Sequence, residues 1–128
     1  MRIALIGLQG AGKTTVFNAV AETPVEFTPG ALQNETHVQV VKVHDPRLEA
    51  CRDIFQPKKF TPAGLELWDP PGLPAGTSEA DRERRTRLLS KLRDADAYVL
   101  VVRDFRSDRY GYEREAPEPI TDARRVVD

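Results

Sequence analysis

The chain has little cysteine, almost no net charge and no long apolar run. Its 128 residues include one cysteine, Cys51, which excludes an internal disulfide and suits a reducing compartment. Nineteen Lys and Arg against twenty Asp and Glu give a formal charge of −1, so no global field draws the chain toward nucleic acid or membrane. No apolar stretch approaches the roughly 20 residues of a membrane span. The N-terminus lacks the charged region, apolar stretch and cleavage site of a secretory signal. These absences make the cytoplasm the expected location. Internal repeats are also missing, and the length fits one domain or part of one, enough for a real core.

What is present begins at once. Gly7-Leu8-Gln9-Gly10-Ala11-Gly12-Lys13-Thr14 fits G-x-x-x-x-G-K-[ST], the phosphate-binding loop. Its glycines let the backbone curl so that successive N–H groups face phosphate oxygens. Lys13, the candidate catalytic cation, can reach the β- and γ-phosphates, and the Thr14 hydroxyl can ligate Mg²⁺. Gln9, Gly10, Ala11, Gly12, Lys13, Thr14 and Thr15 are the candidate nucleotide contacts of this loop. The context agrees. Residues 2–6 are a short apolar run that predicts a strand buried on both faces. Residues 15–22 lack Gly and Pro, and Val16, Phe17, Val20 and Ala21 predict one apolar helical stripe. That helix would add its positive dipole end to the loop.

Further along, residues 23–36 carry Pro24, Pro29 and Gly30 and read as a loop. Val38, Val40, Val41 and Val43 alternate partly with polar residues, which predicts a strand at a sheet edge. Asp45 and Pro46 are suited to cap a short helix, with Leu48, Cys51, Ile54 and Phe55 on its inner face. Cys51 there reads as a small packed side chain. A strand over 65–68 ends at Asp69. From Glu79 a charged helix is expected, with Leu88, Leu89 and Leu92 inward. Arg82, Arg84, Arg85, Arg87, Lys91 and Arg93 make it basic. A solvated face with internal ion pairs is favoured over a ribosome- or RNA-docking surface. Residues 97–102 form the last, strongly apolar strand, and Thr121 or Asp122 is the expected cap of a final helix. His37 and His44, at odd spacing, fall on opposite faces of a strand and make a poor metal pair. Trp68 reads as packing near the sheet end.

A second motif comes directly after the 65–68 strand. Asp69-Pro70-Pro71-Gly72 fits D-x-x-G. A carboxylate there can hold the Mg²⁺ shell through water, while the Gly72 amide can bond the γ-phosphate, tying nucleotide state to the loop beyond. Pro70 and Pro71 favour a preset turn.

The chain now resembles a known family, the Obg-related GTPases, and within them the YchF type. The resemblance rests on Gly12-Lys13-Thr14-Thr15-Val16-Phe17-Asn18-Ala19-Val20, on Asp45-Pro46-Arg47-Leu48-Glu49-Ala50, and on residues 65–78. It implies an α/β, three-layer P-loop NTPase fold with a mostly parallel sheet. It also implies a Mg²⁺-dependent switch that binds and slowly hydrolyses GTP or ATP, in association with ribosomes. Departures are visible. Gly10 replaces an Asn that helps hold an activating potassium ion in related proteins. Thr28 and Thr36 both compete for the switch threonine, and the matching positions, Ala31 and Leu32, cannot ligate a metal. Leu73 stands where many GTPases carry a water-orienting glutamine, so intrinsic hydrolysis is expected to be slow.

No N-K-x-D base-reading motif occurs in residues 1–128. The expectation is therefore the N-terminal, phosphate and Mg²⁺ half of a G domain, with its base-recognition half absent. Two other functions stay open. One is a P-loop kinase for a small metabolite, with Arg82–Arg87 in the role of a lid. The other is a nucleotide-binding or interaction module that does not hydrolyse. The loop also resembles that of signal-recognition-particle GTPases, but the later segments do not match that family.

Overall fold

The computed structural model describes residues 1–21, 35–106 and 116–127. In chain order the elements are β1 (Arg2–Ile6), α1 (Lys13–Val20), β2 (His37–Lys42), α2 (Pro46–Phe55), β3 (Gly64–Asp69), α3 (Glu79–Lys91), β4 (Ala97–Leu100) and α4 (Pro119–Val127). The four strands make one sheet in the order β2-β3-β1-β4. β1 pairs in parallel with β3 and with β4, and β2 runs antiparallel to β3. This is the mostly parallel α/β arrangement expected from the motifs. The loop expected over 23–36 lies outside the described residues except for Glu35 and Thr36, and Thr28, Ala31 and Leu32 go with it.

β1 is the centre because apolar side chains leave it on both faces. Ile3 and Leu5, two apart, join a cluster with Phe17 of α1 and Leu67 of β3. Ile6 and Leu8 join a second with Leu73, Leu88 of α3 and Val126 of α4. Alternate residues of a strand point to opposite faces, so one short run serves two clusters.

The stripe expected on α1 is narrower than its spacing suggests. Phe17 is wholly buried, whereas Val16 is 39 % and Val20 49 % exposed. Among the described elements, α1 is packed chiefly on its side over β1 and β3.

β2 is the edge strand that its alternation predicted, half-buried and exposed residues taking turns along it. Its ladder continues one step past the strands, where Val43 N–H donates to the Ala63 carbonyl at 2.8 Å. The chain between therefore leaves the sheet as an excursion from its edge. This explains a failed expectation: α2 has no buried residue. Ile54 is 73 % and Phe55 76 % exposed, and Cys51 is exposed as well. The helix ends themselves match the local chemistry. The Asp45 carboxylate accepts from Arg47 N–H at 3.0 Å and Pro46 takes the first helical position. The Arg47 guanidinium folds back on the same carboxylate and holds it below its ordinary pKa. Part of the Asp-Pro-Arg-Leu signature is thus a self-contained helix start.

α3 begins at Glu79 as expected, with the Ser78 hydroxyl accepting from Asp81 N–H. Leu92 is buried and Leu88 half-buried, but Leu89 is exposed. The internal ion pairs expected on this helix are missing among the described residues: Arg82, Arg84, Arg87, Lys91 and Arg93 reach no carboxylate. β4 is shorter than expected, although its ladder runs on through Val101 N–H to the Ile6 carbonyl at 2.8 Å. Tyr98, Val99 and Leu100 are exposed, since among the described residues β4 has a strand neighbour only on the β1 side. α4 starts at Pro119, before the expected caps Thr121 and Asp122. Proline at a first helical position needs no N–H partner, and Asp122 N–H closes the first turn on the Glu118 carbonyl at 2.9 Å.

Phe17→Ala should therefore lower stability by about 3–5 kcal/mol, and Val20→Ala by less than about 1 kcal/mol. Urea unfolding followed by circular dichroism reads both; equal losses would mean that the whole stripe is covered.

Candidate functional site

Parallel pairing sends the C-terminal ends of β1 and β3 to the same edge of the sheet. The first strand feeds the glycine loop and the second ends at Asp69, so the two sequence motifs arrive side by side. Crevices beyond the carboxyl ends of strands are where α/β sheets bind ligands.

The glycine loop has the backbone that its spelling requires. Gly10 has φ 80° and Gly12 φ 94°, a region that L side chains rarely enter. A side chain at Gly7 would strike the Val101 carbonyl oxygen. Gly12 sits at the N-cap of α1, where no side chain caps the helix and no acidic residue occupies its first turn. The first N–H groups of α1 are thus left for an outside acceptor, together with the positive end of the helix dipole.

Three polar side chains meet below that loop. The Thr14 hydroxyl donates to Asp69 Oδ2 at 2.6 Å. Asp69 is wholly buried, and its other oxygen, Oδ1, has no hydrogen-bond partner among the described residues. Lys13 is also buried, and loss of water around its ammonium holds its pKa below the ordinary value, an effect opposed by the nearby Asp69 carboxylate. A buried cation and a buried, half-satisfied carboxylate are costly unless something compensates them. Mg²⁺ with a chain of phosphates is a group of that kind. Mg²⁺ takes one or two protein oxygens, keeps waters, and shares the rest of its shell with phosphate. Thr14 and Asp69 fit that demand, and Lys13 fits the phosphate. Among the described residues no set of three or more His, Cys, Asp and Glu could hold a metal alone. His44 instead pairs with Glu49, Nδ1 to Oε1 at 3.0 Å.

The D-x-x-G turn is fastened to the loop more closely than either motif implies. Leu73 N–H donates to the Gly7 carbonyl, and Gln9 N–H donates to the Leu73 carbonyl, each at 3.0 Å. Leu8 and Leu73 form a parallel bridge and are both buried. A Cβ on Gly72 would meet Gln9 Cα at 2.6 Å, so glycine is needed for the two backbones to touch. Pro70 and Pro71 are buried beside it. The Leu73 side chain therefore points into packing, in keeping with its expected inability to orient a water. What sequence reading missed is that its backbone is a strut between the motifs. The pairing of two leucines at matched positions beside glycines was the available signal. Arg85 was missed in the same way: its Nη2 donates to the Pro74 carbonyl at 3.0 Å, bolting α3 to the turn.

Of the remaining candidates, Gly10, Gly12, Lys13 and Thr14 line the bend, Ala11 is buried behind it, and Gln9 and Thr15 are exposed at its rim. Thr36 is exposed and stands one residue before His37, whose ladder partner is Asp69. The antiparallel edge strand thus delivers Thr36 to the same end of the sheet. Trp68 is half-buried and its indole N–H is enclosed without a hydrogen-bond partner among the described residues.

Comparison with known proteins bears on this geometry. Residues 2–126 match the family described as 50S ribosome-binding GTPase. The chain belongs to that family. Its relatives include the Ribosome-binding ATPase YchF of Haemophilus influenzae, 31 % identical over 122 residues, 94 % of this chain and 33 % of that protein. YchF of Bacillus subtilis is 30 % identical over 123 residues, covering 95 % and 33 %. The Obg-like ATPase homolog of Schizosaccharomyces pombe is 28 % identical over 126 residues, covering 95 % and 30 %. The YchF-type G domain expected from the motifs is thereby supported along nearly the whole chain. The chain spans about one third of the length of these relatives. No helix among the described residues is long and apolar enough to cross a membrane.

Gly72→Ala should force the turn off the loop and lower stability by about 1–3 kcal/mol. Urea unfolding measures it, and an unchanged midpoint would show that the two backbones are not in contact.

Proposed function

We propose that this chain binds the phosphates of GTP or ATP with Mg²⁺, hydrolyses the terminal phosphate slowly, and uses the change to control a ribosomal partner. The observation that carries the reading is the meeting of the two motifs, with the Thr14 hydroxyl 2.6 Å from Asp69 and the buried Lys13 ammonium close by. In this reading the N–H groups of Gly10 to Thr15 take the phosphate oxygens, Gln9 and Ala11 shape the bend, and Lys13 spans the outer phosphates. Thr14 would hold the metal directly and Asp69 through water, and the Gly72 amide would serve the terminal phosphate. Mg²⁺ supplies charge neutralisation at the phosphates when bound.

The ribosomal partner rests on the names of the relatives, which describe ribosome-binding proteins. Base preference is left to contacts outside the phosphate site, because no N-K-x-D motif occurs in these residues. We also read the chain as the phosphate half of a G domain, acting where no membrane is involved, in the cytoplasm. A binding module that does not hydrolyse is the second reading, and burial of Leu73 favours it. Against the kinase reading stand the Asp-Pro-Arg-Leu segment and the D-x-x-G turn, and of its lid candidates Arg85 bonds the Pro74 carbonyl beside that turn.

Calorimetric titration of the chain with ATP and GTP, with and without Mg²⁺, tests the proposal. Lys13→Ala should abolish binding of both. Asp69→Ala should weaken binding at least about tenfold with Mg²⁺, or ~1.4 kcal/mol, and much less without it. The unaltered chain should bind weakly and separate the two bases poorly. Full affinity in Lys13→Ala, or tight selective binding of GTP, would contradict the proposed roles.

A further inference from the structure

α3 is polar almost all round. Its described residues include no buried side chain, and it meets the body of the protein through half-buried Asp81, Arg85 and Leu88, with buried Leu92 just beyond its end. A helix of that kind ordinarily bridges parts of a protein through solvent or is supported by ion pairs four residues apart along its surface. The ion pairs are missing. Glu83 and Arg87 are four apart in the favourable order, yet neither they nor Arg84, Lys91 or Arg93 enter a salt bridge among the described residues.

The charges are also sorted along the axis. Glu79, Asp81 and Glu83 occupy the N-terminal part, where they suit the helix dipole. From Arg84 to Arg93 there are five basic residues and no acidic one. At about 100° per residue, Arg84, Arg87 and Lys91 share one row over about 10 Å of helix, beside the packed side. Arg82 lies along the opposite flank, and Arg93 stands just past the end of α3. Between that row and Arg82 stand Thr86 and Ser90, both exposed. Their hydroxyl protons are already engaged, Thr86 donating to the Arg82 carbonyl at 3.0 Å and Ser90 to the Arg87 carbonyl at 2.9 Å. Each oxygen therefore presents free lone pairs outward, as acceptors.

We infer that the outward side of α3 from Arg84, with Arg93 just past its end, docks the sugar–phosphate backbone of RNA. Guanidinium and ammonium groups take the phosphates. The acceptor oxygens of Thr86 and Ser90 match the donor that distinguishes RNA from DNA, the 2′-hydroxyl. An acidic protein surface would use the cations but has no need of that strip of acceptors. Glu79 and Glu83 line an open groove with Arg82, Thr86 and Arg87 and repel phosphate there, so Thr86 and Arg87 stand where the acidic part of the helix meets the basic part, and the contact extends from them toward Lys91. The inference rests on the ribosome-association reading for the source of the RNA. It adds a physical route to the nucleotide: α3 is tied to the D-x-x-G turn by Arg85 and, through Leu88, to the Leu8–Leu73 cluster.

The test is fluorescence anisotropy of a labelled RNA hairpin titrated with the 128-residue chain over a range of salt. The combined variant Arg84→Gln, Arg87→Gln, Lys91→Gln should lose at least about tenfold in affinity. Its salt slope should fall by about 2 to 3, for three lost phosphate contacts. Lys58→Gln with Lys59→Gln, on the segment after α2, should change neither. A DNA hairpin of the same sequence should bind more weakly than RNA. Matching thermal melts keep a folding defect apart from a lost contact. No binding by the unaltered chain, an unchanged slope in the combined variant, equal affinity for DNA, or equally effective competition by polyglutamate would each overturn the inference. Sedimentation with ribosomes in parallel separates the two readings. Ribosome binding kept by the combined variant overturns this docking face alone. Failure of the unaltered chain to sediment, with hairpin binding intact, removes the ribosome and keeps the RNA contact.

Discussion

The hydrogen bond from the Thr14 hydroxyl to the Asp69 carboxylate, at 2.6 Å, joins the two parts of the chain on which a phosphate site depends. It exists because β1 and β3 lie parallel and adjacent, so that the glycine loop leaving β1 stands beside the carboxylate that ends β3. Two backbone bonds between Gly7, Gln9 and Leu73 secure the same joint a few residues away. The edge strand β2 brings Thr36 to the same end of the sheet by running antiparallel, its first residue, His37, level with Asp69. Topology, rather than any long helix or large core, collects these groups.

The joint is polar on its ligand side and apolar beneath. Leu8 belongs to the glycine loop and Leu73 to the D-x-x-G turn, and they pack together with Val126 from the far end of the chain. A displacement of the turn from the loop would open that cluster and expose leucine surface, at a cost of about 25 cal/mol for each Å² uncovered. The proposed switch is therefore biased toward the closed turn unless a ligand supplies a compensating contact. Proline at 70 and 71 acts in the same direction by limiting the conformations that the turn can reach. The same packing extends to Leu88, which is why a ligand-driven movement of the turn would be felt by α3.

Features governed by short-range chemistry were legible in the sequence. The glycine loop, the start of α2 at Asp45 and Pro46, the edge character of β2 and the fold class are all set by residues a few positions apart. Features that depend on the element lying opposite were not. The spacing of Leu48, Cys51, Ile54 and Phe55 defines a helical face, but no periodicity tells whether a second element covers it; here the excursion from the sheet edge leaves it open. Val16, Val20 and Leu89 are exposed for the same reason. The ion pairs expected on α3 failed differently, since opposite charges at helical spacing permit a bridge without requiring one. In the candidate site, the sequence named the polar groups and missed the struts. Leu73 and Arg85 hold the turn through a backbone bridge and a bond to a carbonyl; the first is hinted at only by two leucines beside glycines, and the second leaves no mark in residue type.

The central claim is that the N–H groups at the start of α1 are aimed at a chain of phosphates held jointly with the D-x-x-G turn. The most direct measurement is the backbone amide spectrum of ¹⁵N-labelled chain, recorded by NMR while Mg²⁺ and a non-hydrolysable triphosphate are added together. The amides of Gly10 to Thr15 and of Gly72 should shift on binding, with those of α2 unmoved. Unshifted amides in the glycine loop, or shifts gathered on a different face of the sheet, would contradict the claim.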